Sequence, residues 1–151
     1  RADFHRRYDT ASRIYQYHMY NAPVRHPLYA RTTWHVARPL DVSAMRKAAR
    51  HLAGEHDFAA SGRPPQGENT VRTVSRAGWD QTDAMLCFTI EANAFLQHMV
   101  RSIVGTIVKV GDDSLSPEAF AAVLASADRS QAGATAPPHG LYLVDVKYLE
   151  H

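Results

Sequence analysis

The stretch AFLQHMVRSIVG, residues 94–105, constrains the fold more than any other part of this chain. Its large apolar residues recur every three to four positions, the spacing that places side chains on one face of an α-helix. The residues on this face are Phe95, Leu96, Met99, Val100, Ile103 and Val104. The pattern therefore predicts a helix with one buried face, capped by Asn93 and ending before Gly111.

Two polar residues, His98 and Arg101, lie one turn apart on this predicted helix. They share a stripe with Ala94 and Gly105, which are small enough to let another backbone or a ligand approach closely. Because the neighbouring residues are almost all apolar, an arginine held there needs an anionic partner. No acidic residue lies three or four positions from Arg101 on this helix, so we expect a carboxylate from elsewhere or a phosphate. The alternative is that the stripe faces water and Arg101 extends into solvent.

Length and composition are those of an ordinary single globular domain. The chain has 151 residues, of which 45% are hydrophobic and 21% are charged. No apolar run approaches the ~20 residues that a membrane-spanning helix requires. Cys87 is the single cysteine, so no internal disulfide can form, and we expect it to be a small hydrophobic residue of a strand. This cysteine content favours a reducing, cytoplasmic location.

Positive charge is carried almost entirely by arginine. Of the 17 basic residues 14 are Arg, and the formal net charge is +2. Guanidinium groups suit the recognition of phosphate, although a GC-rich genome would enrich arginine in every protein it encodes. Arg6, Arg7 and Arg13 lie in an arginine-dense opening stretch and are candidate phosphate contacts.

Hydrophobic periodicity and helix-capping residues predict an α+β domain. Strands are predicted over 12–20, 31–37, 70–79, 83–92 and 141–149, with a turn near 78–81 and a long loop over 54–69. Two further helices are predicted over 42–53, capped by Asp41, and over 116–128, capped by Ser116. We expect a largely antiparallel sheet with helices packed on one face, which leaves the other face or its rim free for a ligand.

The sequence contains no pattern typical of a metal or nucleotide-cofactor site. Its nine histidines are scattered, and no His, Cys, Asp or Glu residues have the spacing of a known metal centre. Gly-rich loops of the phosphate-binding types are also missing. We therefore expect neither a metal nor an organic cofactor.

Four separated blocks of the chain resemble the tRNA pseudouridine synthase A family. They are SRIYQYHMYN, LDVSAMRKAARHLAGEHDF, ANAFLQHMVRSIVG and DRSQAGATAPPHGLYLVDVKY, in the family's order. The resemblance implies the α+β pseudouridine synthase fold, with residues 1–151 corresponding to the C-terminal half of the catalytic domain. It also implies isomerisation of uridine to pseudouridine in the anticodon stem-loop of tRNA, at tRNA positions 38–40. Such enzymes work as cytoplasmic homodimers without a metal or organic cofactor.

The same resemblance implies roles for individual residues. Tyr15 matches the tyrosine that stacks on the target uracil and assists proton removal. Arg101 matches the arginine that pairs with the catalytic aspartate, which agrees with the anionic partner expected above. Leu141 matches an apolar wall for the base, and we add His98 as a neighbouring substrate-binding residue.

The chain departs from the family pattern in two places. The family's nucleophilic aspartate lies in an RTDAGVH-like motif of the N-terminal half, and no such motif occurs in these residues. Because a carboxylate nucleophile makes glycosidic-bond cleavage possible, we expect the 151 residues to be inactive by themselves. The second departure is the loop AASGRPPQGEN after Phe58. The sequence does not determine whether this loop contacts RNA as the family's loop does. Two alternatives remain: a non-catalytic RNA-binding or assembly module, and a small-molecule-binding domain.

Overall fold

A computed structural model describes residues 10–62, 69–126 and 133–148, and the structural statements below concern these ranges. Side chains at positions 10, 11 and 148 are outside the description. No helix in these ranges is long and apolar enough to cross a membrane.

In the described ranges, six strands form one sheet, with three α-helices beside it. The strands are β1 Thr10–Asn21, β2 Trp34–Val36, β3 Gly54–Asp57, β4 Val71–Thr82, β5 Met85–Ala92 and β6 Leu141–Tyr148. The helices are α1 Val42–Arg50, α2 Met99–Gly111 and α3 Pro117–Ser126. The strand order is β2-β1-β5-β4-β3, and β6 also pairs with β1. All pairs are antiparallel except β1 with β2, which confirms the expected largely antiparallel α+β fold.

Strand β5 shows how the sheet separates its two faces. Its residues alternate between buried and half-buried along the whole strand. Leu86, Phe88 and Ile90 belong to the core that the helices cover, whereas the half-buried Cys87 lies on the opposite face. Because β5 lies between β1 and β4, its predicted position inside the sheet is confirmed.

Capping side chains determine where two helices begin. The Asp41 carboxylate accepts a hydrogen bond from the Ala44 N–H at 3.1 Å, and the Ser116 hydroxyl accepts one from the Ala119 N–H at 2.9 Å. Both caps were predicted, because a short oxygen-bearing side chain satisfies an amide that the first helical turn leaves unpaired.

Two predictions about the strands are wrong. Residues 54–57, predicted as part of a long loop, form β3 and pair with β4 from Gly54↔Val74 to Asp57↔Val71. The hairpin turn between β4 and β5 lies at Asp83, whose φ is +55°, and not near 78–81. Strand β4 continues through that region because Trp79 packs on Phe88 of the neighbouring strand, with ring centroids 5.1 Å apart.

The predicted start of the central helix is also wrong. Helix α2 begins at Met99 and not near Ala94. Asn93 caps no helix: its side chain accepts a hydrogen bond from the Thr73 N–H at 2.8 Å, and its own N–H donates to the Thr73 carbonyl at 3.0 Å. These bonds hold Asn93 beside β4, so residues 94–98 cross to the helix as a loop. His98 ends this loop in a left-handed conformation, with φ of +65°.

Helix α2 is crossed by the segment 133–137 at very close range. The Ala136 N–H donates to the Arg101 carbonyl at 3.0 Å, and the Gly133 N–H donates to the Thr106 hydroxyl at 3.0 Å. A Cβ atom at Gly105 would overlap the carbonyl oxygen of Ala134. The expectation that Gly105 admits another backbone is therefore confirmed.

Replacing Gly105 by Ala should destabilise the protein by about 1–3 kcal/mol, because the added methyl group forces α2 and the 133–137 segment apart. The midpoint of urea unfolding measures this loss. Gly78→Ala is the matched control, because a Cβ at Gly78 meets no atom within 4 Å. Equal midpoints for the two variants would contradict the proposed packing.

One carboxylate joins four strands on the open face of the sheet. Glu91 of β5 accepts a hydrogen bond from Ser12 of β1 at 2.8 Å. It also forms ion pairs with Arg76 of β4 at 3.2 Å and with Lys147 of β6 at 3.4 Å. The Ser12 hydrogen bond, followed by those two cations, lowers the pKa of Glu91 below its ordinary value of 4.5, against the opposing effect of burial.

Glu91→Gln should lower the free energy of unfolding at neutral pH, and this difference should shrink in acid. A carboxylate whose folded-state pKa is depressed stabilises the protein above its ordinary value of 4.5, and this contribution disappears as the pH falls through the lower folded value. Urea unfolding from pH 7 to pH 2.5 measures the difference. Glu55→Gln, on the exposed β3, is the control, and a pH-independent difference for Glu91→Gln would contradict the linkage.

Candidate active site

A cleft of about 490 Å³ opens beside the start of α2. Three separate parts of the chain line it: β1, the 95–98 loop with the first residues of α2, and the start of β6. The lining residues are Arg13, Tyr15, Phe95, Leu96, Gln97, His98, Met99, Val100 and Leu141. Four residues predicted from the sequence, Arg13, Tyr15, His98 and Leu141, thus meet in one cleft.

The cleft lies at the rim of the helix-covered face, and not on the open face of the sheet. Tyr15 pairs across the sheet with Ile90, a core residue beneath the helices. Side chains of directly paired residues lie on the same face. The cleft therefore does not lie where a ligand was expected from the sequence, on the open face of the sheet or its rim.

Tyr15 presents a half-buried aromatic ring to the cleft. Its edge meets Phe95, with ring centroids 4.8 Å apart and planes at 78°. Phe95 was interpreted as a buried helical residue, so its place in the cleft wall was missed, as was that of Gln97. The only sign of this role in the sequence was that both residues belong to the FLQHMVR block. A buried helical face explained that block equally well.

Arg101 lies beside the cleft, half-buried and held at two points. Its Nε–H donates to the Ala136 carbonyl at 2.8 Å, and its Nη1 donates to Nδ1 of His98 at 3.1 Å. Two of the five guanidinium N–H groups are thereby used. No carboxylate within the described ranges forms an ion pair with Arg101. The anionic partner expected from the sequence therefore stays a prediction.

The contact with Arg101 determines the tautomer of His98. Because a guanidinium only donates hydrogen bonds, Nδ1 of His98 must accept, and the hydrogen of the neutral ring then lies on Nε2. His98 is exposed and lines the cleft. It therefore offers a hydrogen-bond donor near the cleft while it orients Arg101.

Tyr17 anchors the segment that Arg101 contacts. Its hydroxyl donates to the Pro137 carbonyl at 2.6 Å, and the residue is fully buried. Burial raises the pKa of Tyr17 well above its ordinary value, although the nearby Arg101 charge acts in the opposite direction. Tyr17 thus stays neutral and serves as a structural donor, whereas Tyr15, two residues earlier, faces the cleft.

The AASGRPPQGEN segment, which departs from the family pattern, begins in contact with residues of the cleft wall. Ala60 and Ser61 are buried. A Cβ at Gly62 would lie 2.7 Å from Cβ of Leu96 and 2.8 Å from the Gln97 carbonyl oxygen. The start of this segment therefore supports the loop that carries Phe95 to His98.

The remaining predicted residues are placed as follows. Arg13 is exposed at the edge of the cleft, whereas Arg6 and Arg7 lie outside the described residues. Burial raises the pKa of the Cys87 thiol. Within the described ranges no three His, Cys, Asp or Glu side chains are grouped to hold a metal ion.

Comparisons with known proteins agree with the four sequence blocks. A family model described as tRNA pseudouridine synthase matches residues 48–149. The tRNA pseudouridine synthase A of Syntrophotalea carbinolica is 44% identical over 149 residues, covering 97% of this chain and 58% of that protein. The proteins of the same name from Moorella thermoacetica and Janthinobacterium sp. are 43% and 42% identical, covering 97% of this chain in each case.

The chain spans 60% and 54% of those last two relatives, so it corresponds to little more than half of their length. The matched part includes seven of the nine cleft-lining residues, in the 95–98 loop, at the start of α2 and at Leu141, whereas Arg13 and Tyr15 of β1 precede it. By this match, the chain belongs to the tRNA pseudouridine synthase family.

Proposed function

We propose that this chain supplies the base-binding part of the active cleft of a tRNA pseudouridine synthase. The observation that carries the proposal is the meeting of Tyr15, His98 and Leu141 in one cleft, with the cationic Arg101 beside it. The substrate is tRNA, and the reaction isomerises uridine to pseudouridine in the anticodon stem-loop. The relatives' name supports the substrate class.

The cleft suits a uracil base that has been flipped out of the RNA stem. A uridine in an RNA stem must be extruded before its glycosidic carbon can be reached. Tyr15 then offers an aromatic surface for the uracil, Leu141 offers an apolar wall, and Nε2 of His98 offers a donor. Arg13, exposed at the edge of the cleft, is placed to contact a phosphate.

Arg101 in this proposal holds the nucleophilic carboxylate. Breaking the N-glycosidic bond and reattaching the base through carbon requires a nucleophile. The three guanidinium N–H groups not used by Ala136 and His98 are available for an aspartate. We propose that this aspartate comes from a part of the complete protein outside these residues, with the chain as the C-terminal half of the catalytic domain. We further propose a cytoplasmic homodimer, as the family resemblance implies.

Arg101→Lys should lower kcat by about 100-fold in the complete protein that carries this chain. A lysine keeps the charge but offers no planar pair of donors to a carboxylate, and a nucleophile misplaced by about 1 Å can cost about 100-fold in rate. Release of tritium from tRNA labelled at C5 of uridine measures turnover. Arg46→Lys is the control, because Arg46 Nε also donates to a backbone carbonyl, that of Trp79 at 3.3 Å, away from the cleft. Equal turnover in both variants would reject the proposed role of Arg101.

Substitutions at Tyr15 separate stacking from proton transfer. Tyr15→Leu should raise KM by about 5- to 150-fold, because a stacked base contributes about 1–3 kcal/mol. Tyr15→Phe keeps the ring, so its KM should stay near that of the wild type, and a lower kcat would reveal a role for the hydroxyl. The same tritium-release assay provides both constants. If Tyr15→Leu keeps the wild-type KM and kcat, the cleft is not the uridine site.

A further inference from the structure

A cationic surface, separate from the cleft, lies where β1 passes into β2. We call it the β1–β2 surface and define it by Arg25, Tyr29, Arg31, His35 and His139. The stretch 10–40, which contributes most of it, carries four arginines and three histidines but no acidic residue. A positive surface of this kind attracts polyanions.

Two guanidinium groups on this surface have no partner among the residues that the structure describes. Arg25 and Arg31 are exposed, and neither forms an ion pair or a hydrogen bond with a described residue. Arg38 provides a contrast nearby, because its Nε pairs with Asp112 at 2.9 Å. The structure therefore presents two cations that an external anion can reach.

A depression of about 290 Å³ lies between these elements. The residues that line it, none of them acidic, are Arg25, Ala30, Thr33, Trp34, His35 and His139. Nε2 of His35 lies 2.8 Å from the Ala22 carbonyl, and Nε2 of His139 lies 2.8 Å from the Thr33 carbonyl. Because a carbonyl only accepts, each Nε2 carries the hydrogen, and both rings are fixed before any ligand arrives.

Aromatic rings on the same surface pack against one another. Tyr29 packs against His26 and Tyr20, with ring centroids 4.7 and 5.4 Å apart. It is nevertheless 36% exposed. Exposed aromatic rings beside unpaired arginines are typical of surfaces that bind single-stranded nucleic acid, by base stacking and phosphate contact.

This surface continues into the active cleft along one short piece of chain. His139 lines the depression, and Leu141, two residues later, lines the cleft. The Tyr142 hydroxyl donates to the Thr32 carbonyl at 2.9 Å, which ties the start of β6 to the β1–β2 connection. One ligand can therefore reach both places.

We propose that the β1–β2 surface is a second RNA-contact surface, which binds phosphates and an unpaired base of the tRNA beyond the target uridine. This inference rests on the proposed function for the identity of the RNA. A second copy of the chain is a less suitable partner for the β1–β2 surface than RNA is. A two-fold symmetric contact would bring two cationic surfaces together, and none of the residues that define this surface is a carboxylate that could compensate.

The experiment compares two variants that remove the same charge. Arg25→Gln/Arg31→Gln changes the β1–β2 surface, and Lys47→Gln/Arg50→Gln changes the exposed basic end of α1. The probe is an unmodified tRNA transcript, and its Kd for each variant of the complete protein is measured from 50 to 400 mM KCl. Losing two phosphate contacts should reduce the slope of log K against log salt by about 2. At 150 mM KCl, Kd should rise by about tenfold for the first variant and stay near the wild-type value for the control.

Equal salt slopes for the two variants would overturn the proposal. So would a change in sedimentation of Arg25→Gln/Arg31→Gln with unchanged tRNA binding, because the surface would then be a protein interface. The urea midpoint of each variant checks folding. Failure of the proposed function gives a different result: the complete protein would form no pseudouridine, yet a reduced salt slope for Arg25→Gln/Arg31→Gln would still support an RNA-contact surface.

Discussion

The paired hydrogen bonds between Arg101 and Ala136 organise the side of the molecule that carries the cleft. The Arg101 carbonyl accepts from the Ala136 N–H, and the Arg101 guanidinium donates to the Ala136 carbonyl. Both bonds require the 133–137 segment to lie directly on α2, which Gly105 permits because it has no side chain. The backbone and the side chain of Arg101 thus connect α2 with the 133–137 segment. The hydrogen bond to the Ala136 carbonyl also fixes the direction of the guanidinium.

The cleft depends on the same segment. Pro137 accepts the hydrogen bond of the buried, neutral Tyr17, and Tyr17 pairs across the sheet with Leu141. Arg101, Tyr17 and the Leu141 wall are therefore connected through contiguous contacts, while Tyr15 projects from the same strand into the cleft. We propose that these contacts hold Tyr15, Arg101 and Leu141 in the fixed positions that a reaction on a bound base requires.

Local sequence signals predicted most elements and failed where distant contacts outweighed them. Asp41 and Ser116 cap their helices as expected, because a capping bond spans only three residues. Asn93 looked equally suitable as a cap, but its amide pairs with Thr73, 20 residues away, and α2 begins five residues later than the predicted helix. The same displacement moved Phe95 from an expected helical face into the cleft wall. Residues 54–57 became a strand because β4 offered an edge to pair with, a partner that no local pattern reveals.

The sequence alone determined the fold class and the family, and it predicted Tyr15, His98, Arg101 and Leu141 as candidate site residues. These conclusions rest on periodicity and on motif order, which are properties of the linear chain. Only the tertiary structure decided that the cleft lies at the rim beside α2, that Arg101 binds Ala136 and His98, and that Arg25 and Arg31 have no partner among the described residues. Those outcomes depend on which surfaces meet when the chain folds, and that depends on packing between residues far apart in sequence.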